Sequence, residues 1–158
     1  MKLIPTASQT VGPFFSIGLS PLCQQEAQQA STPAGTIAIK GKIFDGEKTS
    51  IPDAVVEFWS NGEFVRVATN QDGSFSALLK QPSDTLHFDV LIFMRGLMRP
   101  VLTRCYIGER SEREKEIALK QVSAERLQTL LARAEGTLHN YLWDIHMQGE
   151  NETVFFDF

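Results

Sequence analysis

LHFDVLIFMRG, residues 86–96, is the most apolar run in the chain. Side chains alternate along an extended backbone, so Leu86, Phe88, Val90, Ile92 and Met94 share one side. His87, Asp89, Leu91, Phe93 and Arg95 share the other. The first side is wholly apolar. The second is apolar in its middle and polar at both ends. This pattern predicts a strand in the middle of a sheet, covered on both faces. Its polar end groups are the candidates for function.

Working outward, the segments on either side also read as strands. Upstream, Ile37, Ile39 and Ile43 alternate with polar residues from Thr36 onward. Asp45-Gly46 and Ile51-Pro52-Asp53 are turn signals, and Val55–Trp59 is the next strand. Asn61-Gly62 marks a two-residue hairpin, since both positions tolerate positive φ. Phe64–Thr69 returns. Asp72-Gly73 turns the chain into Phe75, Ala77 and Leu79, and Pro82–Thr85 breaks it before the central strand. Downstream, Val101, Thr103, Cys105 and Ile107 alternate. A helix is expected to start at Ser123 and to end at Gly136, with Leu127, Leu130, Leu131 and Ala134 on one face. A last strand carries Tyr141, Trp143, Ile145 and Met147. Seven or eight short strands with one late helix predict a mainly β fold, a β-sandwich.

The first 35 residues are different. Pro5, Gly12, Pro13, Pro21, Pro33 and Gly35 punctuate them into an irregular arm. Val11, Phe14, Phe15, Ile17 and Leu19 are too apolar for a free tail, so the arm is expected to lie against its own sheet or another chain. The division is therefore an arm, 1–35, and a sandwich, 36–158.

Composition narrows the function. The 158 residues suit one domain, and 42% hydrophobic content supports a real core. A net charge of −4 argues against a nucleic-acid or membrane-surface partner. The GERSEREKE run, Gly108–Glu116, mixes signs and reads as a solvated loop. Cys23 and Cys105 form no motif, although one disulfide between them stays open. The N-terminus lacks a secretory pattern and no stretch reaches membrane-span length, so a cytoplasmic location is expected.

Several residues could carry chemistry. His87 and Asp89 lie two residues apart on one strand face, their Cα atoms roughly 6.5–7 Å apart. Two readings are open: a metal ligand or proton carrier, or a half-buried His bonded to a neighbour. A metal site needs three or four ligands, and His139 and His146 have no ligand spacing. Arg95-Gly96 ends the strand and suits capture of an anion, or is an ordinary turn arginine. Arg99 and Arg104 are less well placed. Glu150, Glu152 and Asp157 punctuate a turn-rich tail and read as solvated or capping groups.

Two ends of the chain carry a resemblance. PTASQTVGPFFSIGL (Pro5–Leu19) resembles the N-terminal arm of intradiol ring-cleavage dioxygenases. IHMQGENETVFFDF (Ile145–Phe158) is similar to the ending of the non-iron alpha chains in that family. WSNGEF, DGSF, LIFMRG and TRCYIGE fall between them in the family's order. The resemblance implies an intradiol-dioxygenase-like sandwich and an Fe(III) enzyme that opens an aromatic diol with O2. It implies a metal held by two Tyr and two His. This chain has Phe64 at the first Tyr position and no Tyr between Phe75 and Leu86 for the second. His87 matches the first His, but Asp89 stands at the other. Tyr106 and Tyr141 lie in other strands. The resemblance thus implies no metal in this chain and no catalytic residue of its own, with His87 a single leftover ligand. The iron would belong to a partner beta chain. Thr10, Gly12, Pro13 and Arg95 match residues that border the substrate. Loops are trimmed after Phe64 and before Leu86, and Gly108–Gly136 differs in character. Two rival readings are a stand-alone β-sandwich binding module and a self-sufficient iron enzyme. The latter requires His139 or His146 to approach His87.

Overall fold

The computed structural model describes residues 14–23, 34–83, 85–107, 122–136 and 139–157, apart from the side chains of residues 14–16, 20 and 63. Two β-sheets face each other across one aromatic-rich core. Among the described residues the strands are β1 (Thr36–Phe44), β2 (Val55–Ser60), β3 (Glu63–Ala68), β4 (Ser74–Lys80) and β5 (His87–Phe93). They continue as β6 (Val101–Tyr106), β7 (Arg133–Ala134), β8 (Asn140–Leu142) and β9 (Ile145–His146). One sheet runs β4-β1-β8-β7 with β9 also on β1. The other runs β3-β2-β5-β6.

The central strand is where the pattern put it. β5 lies between β2 and β6, and every second residue from Phe88 to Ile92 is buried. Its outer face is only half-buried, so it is less covered than the apolar run predicts. The two-residue Asn61-Gly62 turn, with φ of 52° and 75°, sets the β2–β3 register. Trp59 therefore faces Phe64, and Glu57 faces Arg66.

Phe58 sits at the centre of the core. Its ring meets Phe88 and Trp143 edge-on, at 6.2 and 6.4 Å, and Phe75 at 6.1 Å. Between the sheets lie Ile37, Ile39, Val56, Val67, Val90, Ile92 and Ile145, all essentially inaccessible. Gly41 is required by a close approach. A Cβ there would lie 1.8 Å from the Trp143 carbonyl oxygen.

Three expectations need correction. The late helix is short: α2 covers Ala124–Leu127, continues as one 3-10 turn through Leu130, and gives way to β7. Ser123 occupies its cap position without a side-chain bond. The backbone must become extended to pair β7 with β8, and that pairing overrides the leucine periodicity. The last strand is divided into β8 and β9 at Trp143-Asp144, where the Asp144 carboxylate accepts the Lys42 N–H at 2.9 Å. The arm contains a short helix, α1 (Phe14–Leu19), followed by a 3-10 turn. Cys23 and Cys105 are both free thiols. The Gly108–Glu116 run lies outside the described residues. No helix among the described residues is long and apolar enough to cross a membrane.

Candidate functional site

The outer face of the β3-β2-β5-β6 sheet gathers several of the polar and aromatic groups singled out above. Pairing places four side chains in one row across it: Phe64, Trp59, Asp89 and Arg104. Phe64 stacks on Trp59 with ring centroids 4.5 Å apart. Arg104 Nε donates to Asp89 Oδ1 at 2.9 Å, and its guanidinium lies 5.3 Å from the Phe156 ring centre. Phe156 is delivered by the C-terminal segment, which pairs with β6 through Leu102. Thr103 Oγ1 fixes that segment by donating to the Val154 carbonyl at 2.7 Å.

His87 stands one register step away, opposite Tyr106 on β6. Their ring centroids are 5.0 Å apart, and His87 Nε2 lies 3.7 Å from Asp89 Oδ1. Tyr106 is wholly buried and its hydroxyl interacts with Arg104. Burial opposes the Arg104 charge, but Tyr106 and Asp89 outweigh it and hold its pKa above the ordinary value. Asp89 is therefore already committed to a cation supplied by the chain itself.

A second pair braces the same face. Glu57 is buried, and Arg66 Nε donates to it at 2.7 Å with a second nitrogen at 2.6 Å. Trp59 Nε1 donates to the other carboxylate oxygen at 3.1 Å. The Arg66 guanidinium also lies 5.2 Å from the Phe64 ring centre. Cys23, just after the arm helix, lies within the field of this pair. Burial raises its thiol pKa, Arg66 lowers it and Glu57 raises it.

These residues do not fit a ferric site. Phe64 has no donor atom, Asp89 is tied to Arg104, and His87 is one imidazole. No group of three His, Cys, Asp or Glu able to hold a metal ion occurs among the described residues. His146 lies in the other sheet, stacked on Phe44 at 5.1 Å, and His139 precedes β8 in that sheet. Neither joins His87 in a group of three or more such residues among the described residues.

Arg95 lies apart from this row, in the β5–β6 connection. It is 66% exposed and pairs with Asp53 at 3.0 Å. The same connection holds Met98 fully in solvent. Thr10, Gly12 and Pro13 lie outside the described residues. Glu150 and Asp157 are exposed, and Glu152 lies 3.6 Å from Arg126. Tyr106, Phe156 and the full role of Arg104 were missed by sequence reasoning. Tyr106 and Arg104 become visible only once β5 and β6 are in register.

No family model matches the chain. It is 31% identical over 194 aligned positions to the protocatechuate 3,4-dioxygenase alpha chain of Burkholderia cepacia, covering 96% of each. It is 28% identical over 200 positions to the corresponding alpha chain of Pseudomonas putida, covering 100% of this chain and 99% of that one. Both alignments are longer than the 158 residues present, so gaps open in this chain. The fold is shared with the catechol 1,2-dioxygenase of Acinetobacter sp. ADP1, at a TM-score of 0.54 and 15% identity. That match covers 75% of this chain and 54% of the other. The dioxygenase domain of a carbohydrate-binding fusion protein from Streptomyces sp. SirexAA-E matches at a TM-score of 0.52 and 16% identity, covering 92% and 99%.

Proposed function

This chain belongs to the family of protocatechuate 3,4-dioxygenase alpha chains, and we propose that it is the non-iron subunit of such an enzyme. In this reading an iron-bearing beta chain is its partner and holds Fe(III). The enzyme cleaves 3,4-dihydroxybenzoate with O2 to 3-carboxy-cis,cis-muconate. This chain walls the substrate pocket across the interface and supplies no catalytic residue. Thr10, Gly12 and Pro13 of the arm, residues 1–35, border the substrate ring. Arg95 sets positive charge near its carboxylate.

The observation that carries the reading is the Asp89–Arg104 pair. A carboxylate stands where a metal-binding imidazole is expected, and the chain's own guanidinium neutralises it. A fold of this family that has filled its metal position from within has its use elsewhere, on its surfaces. Exposed apolar groups support that use. Ile17 and Leu22 of the arm are more than half exposed, and Met98 is fully so. Such groups suit a protein contact. The Arg95–Asp53 pair is solvent-exposed, so it is worth about 0–1 kcal/mol. Arg95 can leave Asp53 for a substrate carboxylate at little cost.

The test is a tagged pull-down from the native host, with a visible spectrum of the eluate. Co-purification of a second chain and a broad tyrosinate-to-iron(III) band are expected. A chain that elutes alone and colourless overturns the proposal and leaves a stand-alone binding module in its place. In the complex, Arg95→Ala is expected to weaken turnover about tenfold, chiefly through KM, with iron content unchanged.

A further inference from the structure

Asp53 is the one described residue that holds the Arg95 guanidinium. Both of its carboxylate oxygens converge on Arg95 Nη2, at 3.2 and 3.0 Å. Among the described residues no other hydrogen bond or ion pair involves Arg95.

The two partners differ in freedom. Asp53 precedes Ala54, which is fully buried. The Ala54 N–H donates to Thr69 Oγ1 at 2.9 Å, and its carbonyl accepts the Thr69 N–H at 2.9 Å. Arg95 instead opens a surface turn, where Gly96 has a φ of 90° and the Leu97 N–H donates to the Met94 carbonyl. An anchored carboxylate therefore holds a guanidinium carried on a long, exposed stem. The stem can swing away, and the carboxylate stays where it is.

We propose that Asp53 is an internal stand-in for the substrate carboxylate, and thereby a specificity-determining residue that acts through Arg95. The proposal rests on the reading of Arg95 given above. Without substrate, Asp53 occupies the guanidinium. An aromatic diol that carries an anionic substituent takes its place, trading one carboxylate–guanidinium contact for another. The released Asp53 side chain, 22% exposed, is rehydrated. A neutral diol offers Arg95 nothing and leaves the pair intact. An exposed pair lowers the population of unpaired guanidinium by about two- to fivefold, and apparent affinity for the anionic ring falls by the same factor.

The test uses the complex isolated from the host, with 3,4-dihydroxybenzoate as substrate and catechol as the competing ring without a carboxylate. Asp53→Asn is expected to lower KM for 3,4-dihydroxybenzoate about two- to fivefold, with no matching gain in the inhibition constant of catechol. Damage to the fold does not produce a gain in affinity confined to the charged ring. In an Arg95→Ala background the same substitution is expected to change neither constant, since no guanidinium remains to be released. An unchanged or raised KM in Asp53→Asn overturns the proposal. So does a fall that survives Arg95→Ala, which is repulsion between carboxylates through space. Arg95→Ala also separates the stand-in from the reading it rests on. If it raises KM while Asp53→Asn fails to lower it, only the stand-in is lost. If it leaves KM for 3,4-dihydroxybenzoate unchanged, Arg95 takes no part in binding, and its assigned role is lost together with the stand-in.

Discussion

Replacing Arg66 with Ala tests how the outer face of the β3-β2-β5-β6 sheet is held. The Glu57 side chain is 5% exposed and that of Arg66 15%. Two guanidinium nitrogens reach Glu57, and the Trp59 indole is its third donor. Arg66→Ala leaves a buried carboxylate with one neutral hydrogen bond. Breaking a buried pair from one side costs about 3–5 kcal/mol. Some solvent reaches Arg66, so the low end, about 3 kcal/mol, is expected. Loss of the guanidinium near Phe64 adds about 0.5 kcal/mol. With an m-value of about 2 kcal/mol/M, the urea midpoint drops by about 1.75 M. Tryptophan fluorescence follows the transition, because Trp59 touches the pair directly. The double variant Glu57→Leu/Arg66→Met removes both charges and is expected within about 1 kcal/mol of the parent. A single variant that shifts the midpoint by less than about 0.3 M would refute the reasoning. A double variant as unstable as the single one would do so too, since the loss would then come from packing.

Other substitutions probe the rest of the molecule. Gly41→Ala is expected to cost about 3 kcal/mol or more, or to prevent folding, because its Cβ collides with the Trp143 carbonyl; thermal melting checks it. Cys105 is fully buried, and burial pushes its thiol pKa well up, so it should resist alkylation in the native state and react on unfolding. Mass spectrometry of labelled peptides should find Cys23 modified first. Asp72 is held well below the usual carboxylate range by hydrogen bonds from Ser74 and by Lys42. A depressed folded pKa means that its stabilisation is fully present above the unfolded value of about 3.9 and is lost as pH falls through the folded value. Asp72→Asn should therefore lower the melting temperature at neutral pH, with the difference shrinking below about pH 4.

Local signals were readable wherever one short-range rule governed the backbone. Asn61-Gly62 permits only a tight hairpin, and that turn places Glu57 opposite Arg66 and Trp59 opposite Phe64. The alternation of β1 and β5 gave their buried faces. The late helix misled because Leu127, Leu130 and Leu131 are apolar for tertiary reasons. Leu130 packs with Tyr106, and Leu131 forms a parallel β-bridge to it. The Trp143 indole donates to the Thr129 carbonyl, tying this segment to the β8–β9 break. Arg104 and Tyr106 stayed hidden for another reason. A seven-residue connection, Met94–Pro100, joins β5 to β6, and such a length leaves the register open. A shift by one residue would send both side chains to the other face.

The register also shows how the charge on the outer face is balanced from within the chain. A His-x-His pair offers two neutral donors, and it needs a cation from outside to complete it. Here the second position is Asp89, which brings a negative charge to a half-covered face. That charge needs a permanent positive partner, and β6 provides one directly across the strand in Arg104. Phe156 covers the guanidinium, and Tyr106 adds a further interaction beneath it. The face is thus closed electrostatically by the chain itself. Asp89→His would free Arg104 and set a guanidinium beside any cation approaching His87. Asp89→His alone is therefore not expected to create a metal site, because the Arg104 charge would remain beside it.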